Sequence, residues 1–311
     1  MLTRRSLLAG SAATFAAGLA VTGHAKGGPS AGVTSAGAPL RIGKVALNVR
    51  DLDTMSAFYQ QVVGLIQIES AGQTVLLGVD GAVLLELRGN ADLRFASPLD
   101  AGLFHTAFLL PTRADLGSWL LNAVRLGVPI QGASDHMVSE AIYLADPEGN
   151  GIEIYWDRPS QDWTWRDGMV EMSTLGLDVQ SLAEVARMNI WNGLPSGSSI
   201  GHVHLQVGDI LAAQAFYSEL LGMDIVHRVS GASFYSSGGY HHHIATNVWN
   251  SIGASTRTEG TTGLASFELI ANNPTLYNDV FARLNTFATH SHEDRVEVED
   301  PWGTTVILRS A

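Results

Sequence analysis

The feature that most restricts the fold of this chain is that it repeats itself. Ile42, Gly43, Val45, Leu47, Val49 and Asp51 return as Ile200, Gly201, Val203, Leu205, Val207 and Asp209, 158 residues further on. The same offset carries Phe58-Tyr59 and Gly64 onto Phe216-Tyr217 and Gly222. A second pair interleaves with the first. Asp146-Pro147-Glu148-Gly149 matches Asp300-Pro301-Trp302-Gly303, and Gly102-Leu103-Phe104-His105 matches Gly263-Leu264-Ala265-Ser266. Four copies of one supersecondary unit, each of about 50 residues, account for the period.

Each copy has the same local grammar. An alternating segment comes first, with Val45, Leu47 and Val49 on one face of a strand. A helix follows, with apolar residues spaced i, i+3, i+4, i+7: Met55, Phe58, Tyr59, Val62 in the first unit and Leu116, Trp119, Leu120, Ala123 in the second. The third unit offers Ala213, Phe216, Tyr217, Leu220 and the fourth Tyr277, Val280, Phe281, Leu284. Gly64, Gly127 and Gly222 suit the left-handed residue that ends a helix, and Asn273-Pro274 suits a helix start. Short strands broken by Gly turns, such as 74–79 and 82–88, close each unit. The expectation is an α+β fold of four βαβββ modules. Modules 1 and 2 fall in 40–158 and modules 3 and 4 in 200–309. Residues 159–199 belong to no repeat. They carry Trp163, Trp165 and Trp191 and a helix expected over 182–188, which reads as an ordered connector.

Composition removes several classes of function. The net charge of −12 argues against a nucleic-acid partner, which needs a basic face. The absence of cysteine excludes disulfides, thiolate catalysis and thiolate-bound zinc. At the start, Arg4-Arg5 precede a mildly apolar run from Leu7 to Val21, with a cut site after Ala25. Residues 1–25 therefore read as a twin-arginine export signal, which predicts a periplasmic protein. Residues 26–39, rich in Gly, Ser and Ala, read as a flexible tether. The mature chain has no apolar run long enough to span a bilayer. It is compatible with a homo-oligomer.

Aligning the modules shows where chemistry could reside. At the first-strand position they read Lys44, His105, His202 and Ser266. At the last-strand position, modules 2 and 4 read Glu153 and Ile307. Two histidines and a carboxylate thus survive in modules 2 and 3. That is the ligand set of a non-haem Fe(II) site, and it also suits Mn(II).

With these residues and the run from Asp146 to Tyr155, the chain resembles the vicinal-oxygen-chelate superfamily, which includes glyoxalases, bleomycin-resistance proteins and dioxygenases. Within it, the likeness is to type I extradiol dioxygenases, the catechol 2,3-dioxygenase group. That group's pattern appears here as His136, Ile142-Tyr143, Asp146-Pro147, Gly149 and Glu153, with Ser134 departing from the usual residue. The resemblance covers 40–309 and implies two cup-shaped mixed sheets. It also implies opening of an aromatic diol by dioxygen at Fe(II) or Mn(II). By the same resemblance His242 would be the acid–base residue, Tyr143 would bond a substrate oxygen, and His136 would hold an adjacent hydroxyl or the intermediate. Strand alternation over 240–245 would turn His241 and His243 away from His242. Two module pairings remain open. The three ligands converge if modules 2 and 3 share one cup and 1 and 4 the other. Pairing 1 with 2 and 3 with 4 would separate His202 from His105 and Glu153. Two other classes also remain. One is a glyoxalase-like isomerase or lyase, for which Glu86 is the candidate extra carboxylate. The other is a non-catalytic protein that binds an aromatic ligand.

Overall fold

The structure is a computed structural model, and it describes residues 32–186, 191–292 and 294–311. The export signal, residues 26–31 of the tether and Arg187 and Met188 of the expected connector helix lie outside the described residues.

All four modules are βαβββ. Module 1 comprises β1 (Leu40–Val49), α1 (Leu52–Phe58), β2 (Ile66–Ala71), β3 (Thr74–Val79) and β4 (Ala82–Gly89). Module 2 comprises β5 (Gly102–Leu110), α2 (Arg113–Leu126), β6 (Gly132–Asp135), β7 (Ser139–Ala145) and β8 (Gly151–Asp157). The connector carries a hairpin of β9 (Trp165–Arg166) and β10 (Met169–Val170), then β11 (Leu175–Gly176) and α3 (Val179–Glu184). Module 3 comprises β12 (Ser199–Gln206), α4 (Ile210–Gln214), β13 (Asp224–Val229), β14 (Ala232–Ser236) and β15 (Ile244–Asn247). Module 4 comprises β16 (Gly263–Ala271), α5 (Pro274–Leu284), β17 (His290–His292), β18 (Arg295–Glu299) and β19 (Thr305–Ser310).

The sheets do not follow chain order. One runs β17-β18-β19-β16-β1-β4-β3-β2 and joins modules 4 and 1. The other runs β11-β6-β7-β8-β5-β12-β15-β14-β13 and joins modules 2 and 3. Each is closed at its centre by an antiparallel pair of first strands, β1 with β16 and β5 with β12. The division into 40–158 and 200–309 is therefore a division of sequence and not of sheets. Which strand edges meet is a long-range choice that leaves no local mark.

The helices follow the apolar spacing and bury Met55, Trp119, Tyr217 and Val280. Asp51, Thr112, Asp209 and Asn273 each cap a helix start by accepting a backbone N–H three residues on. In modules 1 and 3 the helix widens into a π-helical turn, Tyr59–Val63 and Ala215–Leu220. Two bonds at these turns tie the cups together. The Tyr59 hydroxyl donates to Asp146 Oδ2 at 2.9 Å, and the Tyr217 hydroxyl donates to Asp300 Oδ2 at 2.8 Å. The Glu148 carboxylate adds to the first by accepting the N–H groups of Arg50 and Asp51, both at 2.8 Å.

Two expectations need correction. The described part of the tether, residues 32–39, is docked and not free. Ala38 is buried, Ser35 Oγ donates to the Gly201 carbonyl at 3.3 Å, and Gly32 N–H donates to Ser160 Oγ at 3.2 Å. Short side chains let this segment lie close against β12. The connector helix sits at Val179–Glu184, upstream of the expected 182–188. It buries Leu182 against α2, where Gly117 leaves room for the Leu182 carbonyl.

Candidate active site

The candidate residues meet in the sheet of modules 2 and 3. Glu153 lies on β8, His105 on β5 and His202 on β12, which are three adjacent strands. Their side chains share one face. His105 Nε2 stands 3.0 Å from Glu153 Oε2, His202 Nε2 stands 3.3 Å from the same oxygen, and the two Nε2 atoms are 3.3 Å apart. Ligands at right angles on an ion with bonds of about 2.1 Å stand about 3.0 Å apart. The triangle therefore fits one face of a six-coordinate ion, and the opposite face is left for other ligands. The three residues are 6%, 2% and 2% exposed, and theirs is the one His/Asp/Glu cluster of this kind among the described residues.

Electrostatics favour the same use. Burial alone would raise the Glu153 carboxyl, but the His202 and His105 imidazoles hold it well below its ordinary range. Burial lowers His202 despite the facing carboxylate. An ionised carboxylate beside an imidazole with its lone pair free is the protonation state a cation requires.

Local structure explains why His202 reaches this point. The β5–β12 ladder slips between Ile200 and His202, and the bulge contains Gly201. A Cβ on Gly201 would stand 1.7 Å from the Tyr155 hydroxyl, so only glycine lets β12 pass over that ring.

The remaining candidates surround the triad. Tyr143 on β7 faces Glu153 directly across the ladder, and its ring centroid lies 5.6 Å from that of His105. Burial, and then the charge of Glu153, push its phenol well up, so it stays protonated. His136 precedes β7. Its Nδ1 lies 2.8 Å from the Ser173 carbonyl, which can only accept, so Nδ1 carries the proton. Its Nε2 then accepts from the Tyr143 hydroxyl at 2.6 Å. The His242 and His202 ring centroids are 4.2 Å apart. Burial, followed by the neighbouring imidazoles, lowers His242 well below the usual histidine value and keeps it neutral. Glu86 is not part of this site. It pairs with Lys44 in the other sheet, where Lys44 occupies the position that corresponds to His202.

A cavity of about 800 Å³ opens over the triad. Its wall is aromatic: Phe104, His204, Phe234 and Trp249 line it, with Phe104 4.9 Å from His204 and 5.5 Å from Trp249 between centroids. His204 lies directly opposite His105 on the paired strand, and the Asn247 amide donates to its Nε2 at 2.9 Å.

The expected alternation over 240–245 does not hold. The strand begins only at Ile244, and His241 to His243 form a bend before it. His241 and His242 consequently touch, with Nδ1 atoms 2.8 Å apart. His241 Nε2 faces Asp157 Oδ1 at 2.7 Å. His243 is fully buried, and burial pushes it down to about 3. Asp157 was not among the residues singled out from the sequence, although Glu153, Tyr155 and Asp157 alternate along β8 and so share a face.

Comparison with known proteins adds to this geometry. The glyoxalase/bleomycin resistance protein/dioxygenase superfamily model matches residues 41–154 and 199–307. The chain is 37% identical over 276 residues to catechol-2,3-dioxygenase of Bacillus subtilis (strain 168), covering 86% of this chain and 96% of that one. It is 28% identical over 129 residues to biphenyl-2,3-diol 1,2-dioxygenase 3 of Rhodococcus globerulus, covering 38% and 63%. Among solved structures, glyoxalase I of Zea mays shares the fold with a TM-score of 0.54 at 15% identity, over 87% of this chain and 92% of that one.

Proposed function

Because the chain belongs to the glyoxalase/bleomycin resistance protein/dioxygenase superfamily and is a catechol 2,3-dioxygenase-like enzyme, we propose that it opens a catechol-type diol with dioxygen at a non-haem Fe(II) site. The observation that carries this reading is the triangle of His105, Glu153 and His202 at the floor of an aromatic-walled cavity. These three residues would hold the ion, with Mn(II) as the alternative that the same donors accept. When bound, the ion supplies Lewis acidity that lowers a phenol pKa and redox chemistry toward dioxygen.

The chain's own residues do the rest. The aromatic wall stacks the ring of the diol and excludes water. Neutral His242 has an imidazole free to accept a hydroxyl proton and to return it after the ring opens. The Tyr143 hydroxyl donates to His136, so its oxygen is turned to accept from a substrate hydroxyl. His136 is anchored by Ser173 and fixes the direction of that bond. Holding two reactants against one centre is catalysis by proximity. A glyoxalase-like isomerase is less well supported, since Glu86, the extra carboxylate such a site would use, is committed to Lys44. Export through the twin-arginine route to the periplasm forms part of the proposal, on the basis of Arg4-Arg5.

The test is anaerobic loading of the purified protein with Fe(II), followed by catechols under air. Dioxygen uptake with appearance of a yellow ring-opened product is expected. Full iron occupancy without uptake across a panel of catechols would overturn the reading.

A further inference from the structure

The histidine expected to point away from the site is the one that holds its acid–base residue. We propose that Asp157 and His241 form a relay that positions His242 and fixes the tautomer it presents to the substrate. This deepens the extradiol reading and rests on it.

The Asp157 carboxylate only accepts, so His241, 2.7 Å away, donates through Nε2. In the proposed relay His241 gives its one N–H to Asp157 and presents the Nδ1 lone pair to its neighbour. The His242 Nδ1 lies 2.8 Å from that atom, and in the relay His242 supplies the proton between them. Its own Nε2 is left with a lone pair. His242 lines the cavity, and its Nε2 has no hydrogen-bond partner among the described residues. The tautomer this relay selects is the one that can take a proton from a bound diol.

The relay is held from several sides. The second oxygen of Asp157 accepts from the Tyr240 hydroxyl at 2.7 Å, and the Tyr155 hydroxyl lies 2.9 Å behind that. The His241 ring is fully buried, with its centroid 4.1 Å from that of Tyr240 and 5.1 Å from that of Trp163. Trp163 comes from the connector, so a segment outside the repeat shields the relay from water. An aspartate that orients an imidazole through its N–H is a known device for setting which nitrogen acts as base. Here it works through one intervening ring.

The test uses the iron-loaded enzyme and four variants. Asp157→Asn keeps shape and can still accept from Tyr240, but its amide donates to His241 and reverses the chain. It should lower kcat at least tenfold, with KM for catechol within twofold and iron content unchanged. His241→Asn offers an acceptor near the Nδ1 position, whereas His241→Phe fills the space between Tyr240 and Trp163 and accepts nothing. Asn should retain more kcat than Phe, and a purely packing role would give the reverse order. His242→Gln is the reference for loss of the base. Independently of turnover, ¹⁵N–¹H long-range correlations on the diamagnetic Zn(II)-loaded chain should show His242 protonated at Nδ1 in the wild type and at Nε2 in Asp157→Asn.

If His242→Gln is impaired while Asp157→Asn and His241→Phe stay within twofold of wild-type kcat, the relay is wrong and the dioxygenase reading stands. If the iron-loaded wild type opens no catechol, that reading fails, and the tautomer measurement decides the relay alone. The same His242 tautomer in the wild type and Asp157→Asn overturns it.

Discussion

A residue's usefulness in this site depends on whether burial leaves it with or without a proton. His202 and Glu153 are each turned toward the form that a cation binds, His202 by burial and Glu153 by the imidazoles that face it. His202→Ala should therefore remove most of the bound metal, read by elemental analysis after reconstitution, and full occupancy in that variant would sink the site shared between two modules. The His/Glu/His cluster was legible in the sequence because the repeat supplies its own control: Lys44, Ser266 and Ile307 stand where His202, His105 and Glu153 do. The orientation of His241 was not legible, for an equally physical reason. Alternation applies to extended backbone, and residues 241–243 precede the strand. His204 escaped notice because its counterpart in the repeat is Ala46, which carries no chemistry to compare.

Elements set what the residues can reach. The 3.6-residue spacing identified the buried face of every module helix, but not the π-helical turns that begin at Tyr59 and Ala215, since one extra residue in a turn barely disturbs a four-point pattern. The sharper constraint is in β12. Gly201→Ala would drive a methyl into the Tyr155 hydroxyl and push β12 away from its neighbour. Overpacking of this kind typically costs about 1–3 kcal/mol. Because His202 is the next residue, the variant should lose metal as well as thermal stability. A variant with wild-type melting and wild-type metal content would show that β12 can shift freely, which the bulge argues against.

Across the whole molecule, the two cups are joined by paired clasps, and burial raises the carboxyl of both, Asp146 and Asp300. Burial raises the Asp146 carboxyl to about 6, against lowering bonds from Asn150, Tyr59 and the Glu148 N–H. A carboxyl raised on folding contributes full stability below its ordinary value near 4 and loses it as pH rises through 6. For a shift of about two units the loss is about 3 kcal/mol. Relative to Asp146→Asn, which has no proton to lose, the wild type should weaken by about that amount between pH 4 and pH 7 in urea unfolding. A difference that does not change with pH would mean that Asp146 ionises freely. The matched Asp146 and Asp300, like Tyr59 and Tyr217, were visible in the repeat, but their pairing across the cups was not, because sequence registers equivalence and not proximity. Location is a property of the whole precursor: changing Arg4 and Arg5 to Lys should retain it in the cytoplasm, and unchanged export would indicate the general secretory route.

The exchange of modules also governs when the protein can come into existence. The first strand, β1, finds its central neighbour only in β16, more than two hundred residues later, and β5 must wait for β12. A nascent chain that has emerged as far as the connector holds two half-sheets with open edges and lacks His202 of the His/Glu/His cluster. The sheet of modules 2 and 3 can close once β15 has emerged, but module 1 stays without its partner until the last module is released. Long-range pairing of this kind folds slowly and leaves strand edges exposed meanwhile. The arrangement that brings His105, Glu153 and His202 together thus makes the unfinished chain a natural client for chaperones. It also means that neither half, made alone, should bind the ion.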